Sequence, residues 1–438
     1  MRFFFFFLVV LLLMIGMSVY IHRRASTLFH LKSPARKILG ALMASGILCI
    51  LLSRLFMNVA GQSLPKALGL YGMTITLSII VSSILLAVVD LPRILVSVVQ
   101  RLFEKPAPER VAEVTLPIAE AEMPGAAFAA PASEMPGAQP LQKSEEKNTI
   151  KIAAPPMGRR NFIAQGAAAS AFATGTGTAF YGAIFGRHDY QIEEIVIPIP
   201  GLPKTLDGFC IAQLSDIHIG LFVGEPELLS AEALVLKTRA DMIVLTGDLI
   251  DSNARFAPDL GRLARRLKPL ARHGVVAIPG NHDYFAGIDP VLDSLVRAEA
   301  RVLRNNGLVI GDAGGAFALL GVDDVWAKRM EASAGPDLSR ALADIPNKDL
   351  ARVLLCHNPV FFPEAAGQVA LQLSGHTHGG QVNLVVRPAD WVLPHGYVAG
   401  QYEKNGSKLY INRGFGTAGP PARVGAPPEV SRIVLVSA

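Results

Sequence analysis

The chain predicts an α/β domain, sheets covered by helices, preceded by an α-helical transmembrane region. Three observations carry that expectation. Apolar runs long enough to cross a bilayer are confined to the N-terminal part. Beyond Gly186, short apolar strand-like runs alternate with amphipathic, helix-like segments. Five of those runs end in Asp, Asn or His.

Composition sets the frame. Hydrophobic residues make up 51% of the 438 residues and charged ones 18%, against about 25% charged in soluble domains. The excess apolar content lies before Gly186 and calls for a membrane as partner. A formal net charge of +5 is modest, and Lys and Arg cluster beside apolar runs, so nucleic acid is not an expected partner. Three cysteines, Cys49, Cys210 and Cys356, make no disulfide framework and read as buried thiols.

Taken in order, Phe3 to Tyr20, Ile38 to Met57 and Leu68 to Val89 read as membrane spans, which gives a domain of three transmembrane helices over 1–95. Arg54 interrupts the second near its end, where a long side chain can snorkel. A signal peptide is the rival reading of the first run, but no small-residue cleavage site is evident. Residues 96–158 read as a flexible linker rich in Pro, Ala, Glu and Met, in which Glu122–Ala126 and Glu134–Ala138 repeat one five-residue piece. Residues 159–186 open on Arg159-Arg160 and continue as a mild Ala/Gly/Thr-rich apolar stretch. A fourth transmembrane segment and a twin-arginine-like signal anchor both fit them.

Charge orients the spans. The first connection carries Arg23, Arg24, Lys32, Arg36 and Lys37 with no acidic residue, which places it in the cytoplasm. Four spans then put the catalytic domain, residues 187–438, on the extracytoplasmic side. The expected location is a bacterial-type inner membrane, multi-pass, with a periplasmic active domain.

Within that domain, Leu228–Arg239, Phe256–His273 and Pro290–Ala300 read as helices. The strand-like runs deliver polar groups at their carboxyl ends, where open α/β sheets place their sites. Phe209–Leu214 leads into Ser215-Asp216-Ile217-His218, and Met242–Leu245 into Thr246-Gly247-Asp248, with Asp251 close behind. Val275–Ile278 leads into Gly280-Asn281-His282-Asp283, and Val353–Cys356 into His357. Val369–Leu373 leads into Gly375-His376-Thr377-His378. Asp, His and Asn together suit divalent manganese, iron or zinc. Without thiolates at these ends, a structural zinc site is not expected. Gly247, Gly280 and Gly375 each precede a candidate ligand and would let the backbone turn sharply.

These five blocks, in this order, resemble the calcineurin-like metallophosphoesterases. The resemblance implies a β-sandwich of two mixed sheets flanked by helices, and two divalent metal ions sharing a water. It implies that Asp216, His218 and His378 hold the first ion, that Asn281, His357 and His376 hold the second, and that Asp248 bridges them. His282 would be the general acid, with Asp283 orienting it; Asp251 reads equally as a supporting carboxylate or a helix cap. The stretch Gly396–Glu429, with Tyr397, Tyr402 and Arg413-Gly414-Phe415-Gly416, resembles the membrane-linked branch of the family.

Two further residues are candidates for substrate binding. Arg413 follows a strand and could grip a phosphate or carboxylate, and His395 could line the pocket. His273 reads as structural, at a helix end. The expected substrate is a phosphorylated small molecule or a lipid-linked phosphoester or diphosphate. UDP-2,3-diacylglucosamine, hydrolysed by related membrane-linked members, fits by its acyl chains, whereas an outside domain favours cell-wall or phospholipid phosphoesters. A non-catalytic wall- or lipid-binding module and the accessory domain of a sensor or transporter are the rival classes.

Overall fold

The computed structural model describes residues 2–57, 63–103, 159–331 and 334–438. The chain divides into two compact units, Met1–Ala87 with Ala168–Ala438, and Val88–Ala167. Four helices come first: α1 (Arg2–Leu28), α2 (Ser33–Phe56), α3 (Ser63–Phe103) and α4 (Arg159–Ile184). Three spans within α1 to α3, Leu8–Leu28, Ser33–Phe56 and Ser63–Val96, are long and apolar enough to cross a membrane. α3 runs on past the expected end of its apolar run, so residues 96–103 of the expected linker are helical. The remainder of that linker, 104–158, lies outside the described residues.

α4 has the length of a span, yet among the described residues it is not one of the three apolar enough to cross. Its packing supplies the physical reason. Ser78 Oγ donates to Thr176 Oγ1 at 3.1 Å, and a Cβ on Gly175 would lie 2.4 Å from Ser82 Oγ. Small and hydroxylated residues face one another, which lets two backbones approach closely.

The strands follow as β1 (Gln191–Ile199), β2 (Phe209–Leu214), β3 (Met242–Thr246), β4 (Val275–Ile278), β5 (Arg301–Val302), β6 (Asn306–Asp312) and β7 (Gly315–Gly321). β8 (Arg352–Leu355), β9 (Leu371–Ser374), β10 (Gly400–Lys404), β11 (Ser407–Ile411) and β12 (Glu429–Ser437) complete the set. They form two mixed six-stranded sheets, ordered β1-β12-β2-β3-β4-β5 and β10-β11-β9-β8-β7-β6. β2, β3 and β4 run parallel in the first, and β7, β8, β9 and β11 in the second.

Alternation explains the layers. In β2, Phe209 and Ile211 face the core between the sheets, beside Phe317, Val353 and Ile433, while Ala212 and Leu214 face helices. Those helices are α5 (Glu225–Thr238), α6 (Ala257–Leu267) and, after the short α7 (Asn281–Ala286), α8 (Ile288–Arg297). Leu228, Leu260, Leu263 and Leu295 seal that outer core. Both faces of each central strand are buried, so it reads as a continuous apolar run. The architecture is a sandwich of two mixed sheets flanked by helices, with apolar helices before it. Cys210 and Cys356 are buried and free, and Cys49 is half-buried and free.

The sandwich is seated on the N-terminal helices by specific contacts. Lys66 Nζ of α3 meets Glu227 Oε1 of α5 at 3.3 Å, and Arg423 donates its N–H to Gly182 O of α4 at 3.1 Å. Burial opposes charge on Glu227, but the Gly224 N–H and Lys66 prevail and hold its carboxyl below the usual range. Its folded pKa therefore lies below the unfolded one. The stabilisation is present above about pH 4.3 and is lost as pH falls through the folded value. Thermal melts from pH 6 to 3 should show wild type losing more stability than Glu227→Gln; parallel losses would discount the contact.

Candidate metal centre

The five blocks leave their strands at one edge of the sandwich, and their side chains converge. Asp216, His218 and His378 place ligand atoms within 4.8 Å of one another, as do Asp248, His357 and His376. His218 Nε2 lies 3.1 Å from His378 Nε2, and His378 Nε2 lies 3.4 Å from Asp216 Oδ1. His357 Nε2 lies 3.2 Å from Asp248 Oδ2 and 3.3 Å from His376 Nδ1. Asp248 stands between the groups, with Oδ2 also 3.8 Å from His218 Nε2.

Backbone geometry aims these groups. Asp216 (φ 50°), His218 (φ 50°), Asp248 (φ 51°), His376 (φ 73°) and His378 (φ 52°) all occupy the left-handed region. For residues with a Cβ this costs on the order of 1 kcal/mol or more each, and such strain gathers where function over-determines the backbone. The glycines act in two ways. Gly247 is needed for its φ of 86°, whereas Gly280 and Gly375 are needed for space. A Cβ on Gly280 would lie 2.3 Å from Asp248 N, and one on Gly375 would lie 2.0 Å from Ser215 Oγ.

The donor set fits divalent cations. Asn281 Oδ1 and His218 Nδ1 are buried and, among the described residues, have no hydrogen-bond partner. Buried polar atoms are rarely left so, and a coordinated ion would satisfy the Asn281 oxygen. Burial lowers His218 to about 4 and His376 to about 3, so both imidazoles are neutral and carry a free lone pair, as ligation requires. Burial opposes charge on His357 too, but Asp248 raises its pKa well above the ordinary value. Asp248 thus draws positive charge to the centre. Supporting contacts fix the ligands: His357 Nδ1 meets Thr246 O at 2.8 Å, and the His376 N–H donates to Asp216 at 2.9 Å.

His282 stands beside this centre, its ring centroid 4.6 Å from that of His218. Its partners differ from those expected. Nδ1 lies 2.8 Å from Ser252 Oγ and 3.6 Å from Asp251 Oδ1. Burial alone would lower its pKa; Asp251, Asp248 and Asp283 together raise it above that of an ordinary imidazole. Asp251 is therefore a carboxylate beside His282 and not a cap, since Asn253 caps the short helix that follows.

Asp283 does not orient the imidazole through a hydrogen bond. Its carboxylate accepts N–H groups from Leu249, Ile250 and Gly280, at 3.0, 3.1 and 2.8 Å, and so ties the Asp248 loop to the Asn281 loop. Burial and Asp248 push it up to about 7 against those three donors.

The two candidate substrate residues lie elsewhere. Arg413 is occupied by Glu429, at 2.5 Å, and by Glu193, at 2.9 Å, so it is an internal ion-pair member and not a free phosphate grip. His395 is exposed, its ring 5.3 Å from that of Tyr397, and it belongs to none of the ligating groups.

A residue that sequence reasoning missed is Arg423, 1% exposed. Its guanidinium donates to the carbonyls of Arg413, Gly414, Gly416 and His378 and lies 3.1 Å from His378 Nδ1. The one local signal, an Arg within a Pro- and Gly-rich loop, is weak.

Residues 210–380 match the family model described as calcineurin-like phosphoesterase. An uncharacterized metallophosphoesterase of Aquifex aeolicus is 31% identical over 245 residues, covering 56% of this chain and 91% of that one. The metallophosphoesterase YkuE of Bacillus subtilis is 31% identical over 294 residues, covering 64% of this chain and 98% of its own length. A transmembrane protein with metallophosphoesterase domain from Danio rerio is 29% identical over 269 residues, covering 59% of this chain and 60% of its own length. With its two mixed sheets and its Asp, Asn and His at five strand ends, the chain belongs to the calcineurin-like metallophosphoesterases.

Proposed function

We propose that this protein is a membrane-anchored, divalent-metal-dependent hydrolase of phosphoester or diphosphate bonds, with its catalytic domain outside the cytoplasm. The observation that carries the reading is the convergence of two ligand groups on Asp248, with His282 beside them. Asp216, His218 and His378 would hold one ion, Asn281, His357 and His376 a second, and Asp248 both. Bound there, two divalent cations would polarise the phosphoryl oxygens and provide a nucleophile from water at neutral pH.

The chain's own groups supply the rest. As water's oxygen bonds to phosphorus and the P–O bond to the leaving group breaks, the leaving oxygen needs a proton. His282 is placed to give it, since Ser252 and Asp251 hold Nδ1 and leave the other ring nitrogen for substrate. Its raised pKa keeps it protonated to higher pH than an ordinary imidazole.

Two features of the helices support that orientation. The sandwich contacts the C-terminal end of α4 at Gly182 and the start of α3 at Lys66. The basic connection from Arg23 to Lys37 sits at the other end of α2, a helix of 24 residues or about 36 Å. Positive charge stays inside, so the sandwich would lie outside.

His282→Ala should keep its metal content but lose about a hundredfold in turnover, with manganese, of a dialkyl phosphodiester, whose alkoxide leaving group needs the proton. Mass-spectrometric metal analysis beside the assay checks both halves. Full activity in this variant would remove His282 from the chemistry, and inactivity of the wild type with every divalent ion would remove the hydrolase reading.

A further inference from the structure

Beside His282 lies a cavity of about 340 Å³ whose walls come from two parts of the chain. The sandwich contributes Asp251, Ser252 and Phe222, and the membrane helices contribute Ile50, Arg54 and Met73. The helices are held to the sandwich at this place. A Cβ on Gly69 of α3 would lie 3.1 Å from the Phe222 ring and 2.8 Å from Ser53 Oγ, so the loop that follows His218 packs directly on the helix pair. Ser53 Oγ donates to Pro65 O at 2.7 Å, tying the end of α2 to the start of α3. Arg255 donates to Met57 O and lays its guanidinium 4.5 Å from the Phe256 ring.

The two walls differ in chemistry. One carries the imidazole that faces the metal centre. The other belongs to spans apolar enough to sit among acyl chains, so Ile50 and Met73 present hydrocarbon to the same space. Arg54 stands within the last turn of α2, is exposed, and lines the cavity with Asp251, on which burial opposes charge but His282, His218 and Arg54 together hold the carboxyl below the usual range. A guanidinium at that depth is suited to an anionic oxygen at the membrane surface. A site for small soluble phosphoesters has no need of a wall taken from membrane spans.

We infer that the substrate is an amphiphile, a phosphoester or diphosphate bearing a hydrocarbon tail. The tail lies along Ile50 and Met73, and Arg54 contacts the phosphate group from the membrane side. This rests on reading the adjoining centre as a phosphoesterase and adds the class of substrate it takes.

The test uses the full chain in one detergent, with two diesters that share a leaving group, methyl 4-nitrophenyl phosphate and octyl 4-nitrophenyl phosphate. Wild type should show kcat/KM at least about tenfold higher for the octyl ester, because each buried methylene adds to binding. Met73→Trp, which fills the cavity, should collapse that ratio toward one. Arg54→Ala should raise KM for both esters, with partial recovery in Arg54→Lys. A wild-type ratio near one, or a ratio unmoved by Met73→Trp, overturns the tail site.

A diazirine-bearing hexadecyl phosphodiester gives a readout that needs no turnover. Label recovered in peptides spanning Ile50–Met57 and Gly69–Met73 supports the site, and label confined to other peptides overturns it. If neither ester is hydrolysed but label falls on those peptides, the phosphoesterase reading fails and the tail site stands.

Discussion

Replacing Asp248 with alanine is expected to abolish hydrolysis, a fall of about 10³-fold or more, with loss of bound metal. No other carboxylate is shared between ligand groups among the described residues. Oδ2 lies 3.2 Å from His357 Nε2 and 3.8 Å from His218 Nε2, one from each set, while Oδ1 accepts the His282 N–H at 2.8 Å. One truncation would therefore remove an anionic ligand from both proposed ion positions and free the backbone that carries the proposed acid. Burial opposes charge on Asp248, yet His357, His218 and His282 hold its carboxyl well below the usual range, so it is anionic at any working pH. Asp248→Asn separates the two losses. It keeps an oxygen for the His282 N–H but gives up the charge, and should bind metal weakly while folding normally. Metal analysis, chromogenic hydrolysis and a thermal melt on each variant decide the matter; an alanine variant with both ions and ordinary turnover would end the bridging assignment.

The catalytic edge was legible because it is written locally. Phe209–Leu214 and Val275–Ile278 are uninterrupted apolar runs, and the structure gives β2 and β4 those same bounds. Each run hands over directly to its polar block, so strand end and ligand are neighbours in sequence. Electrostatic partners are not written that way. Arg413 and Arg423 stand in one loop, and by local chemistry the strand-end Arg413 was the better candidate for a ligand grip. The fold reverses the order of interest. Glu193, 220 positions away, and Glu429 take up Arg413, and chain closure buries Arg423 against a metal-site histidine. The partner of His282 was hidden for a similar reason. Asp283 is its neighbour in sequence, but helical geometry turns that carboxylate toward Leu249 and Ile250, and Asp251 and Ser252 arrive from another strand end. The wall of apolar helices beside the site could not be read at all, since no periodicity records which sandwich loop meets Gly69.

Arg423→Ala is expected to destabilise the sandwich by about 3–5 kcal/mol, or very roughly 10 °C in melting temperature, although Arg423 touches no candidate metal position. Its guanidinium lies 1% exposed, and burial lowers its pKa to about 10, so it stays charged at neutral pH. Nε and the two terminal nitrogens donate to the carbonyls of Gly416, His378, Arg413 and Gly414; the N–H groups of Gln381 and Glu429 also reach His378 O and Gly414 O, so truncation would leave the Arg413 and Gly416 carbonyls short of a donor. Each orphaned carbonyl costs about 1–3 kcal/mol before water enters or the loop relaxes. The same residue donates its backbone N–H to Gly182 O, in the last turns of α4, and stands 3.1 Å from His378 Nδ1. One side chain thus couples the seat of the sandwich on α4 to the aim of a candidate ligand. Two readouts separate these roles. Loss of stability alone would leave metal affinity unchanged once the folded fraction is accounted for. Loss of His378's aim would weaken the Asp216 and His218 position and spare the other, so that one ion per chain, not two, survives dialysis. Arg423→Lys keeps the charge but offers three donors on a flexible stem in place of a planar fork, and should recover part of the stability with little of the aim. Equal recovery of both by lysine would make Arg423 a buried charge and nothing more.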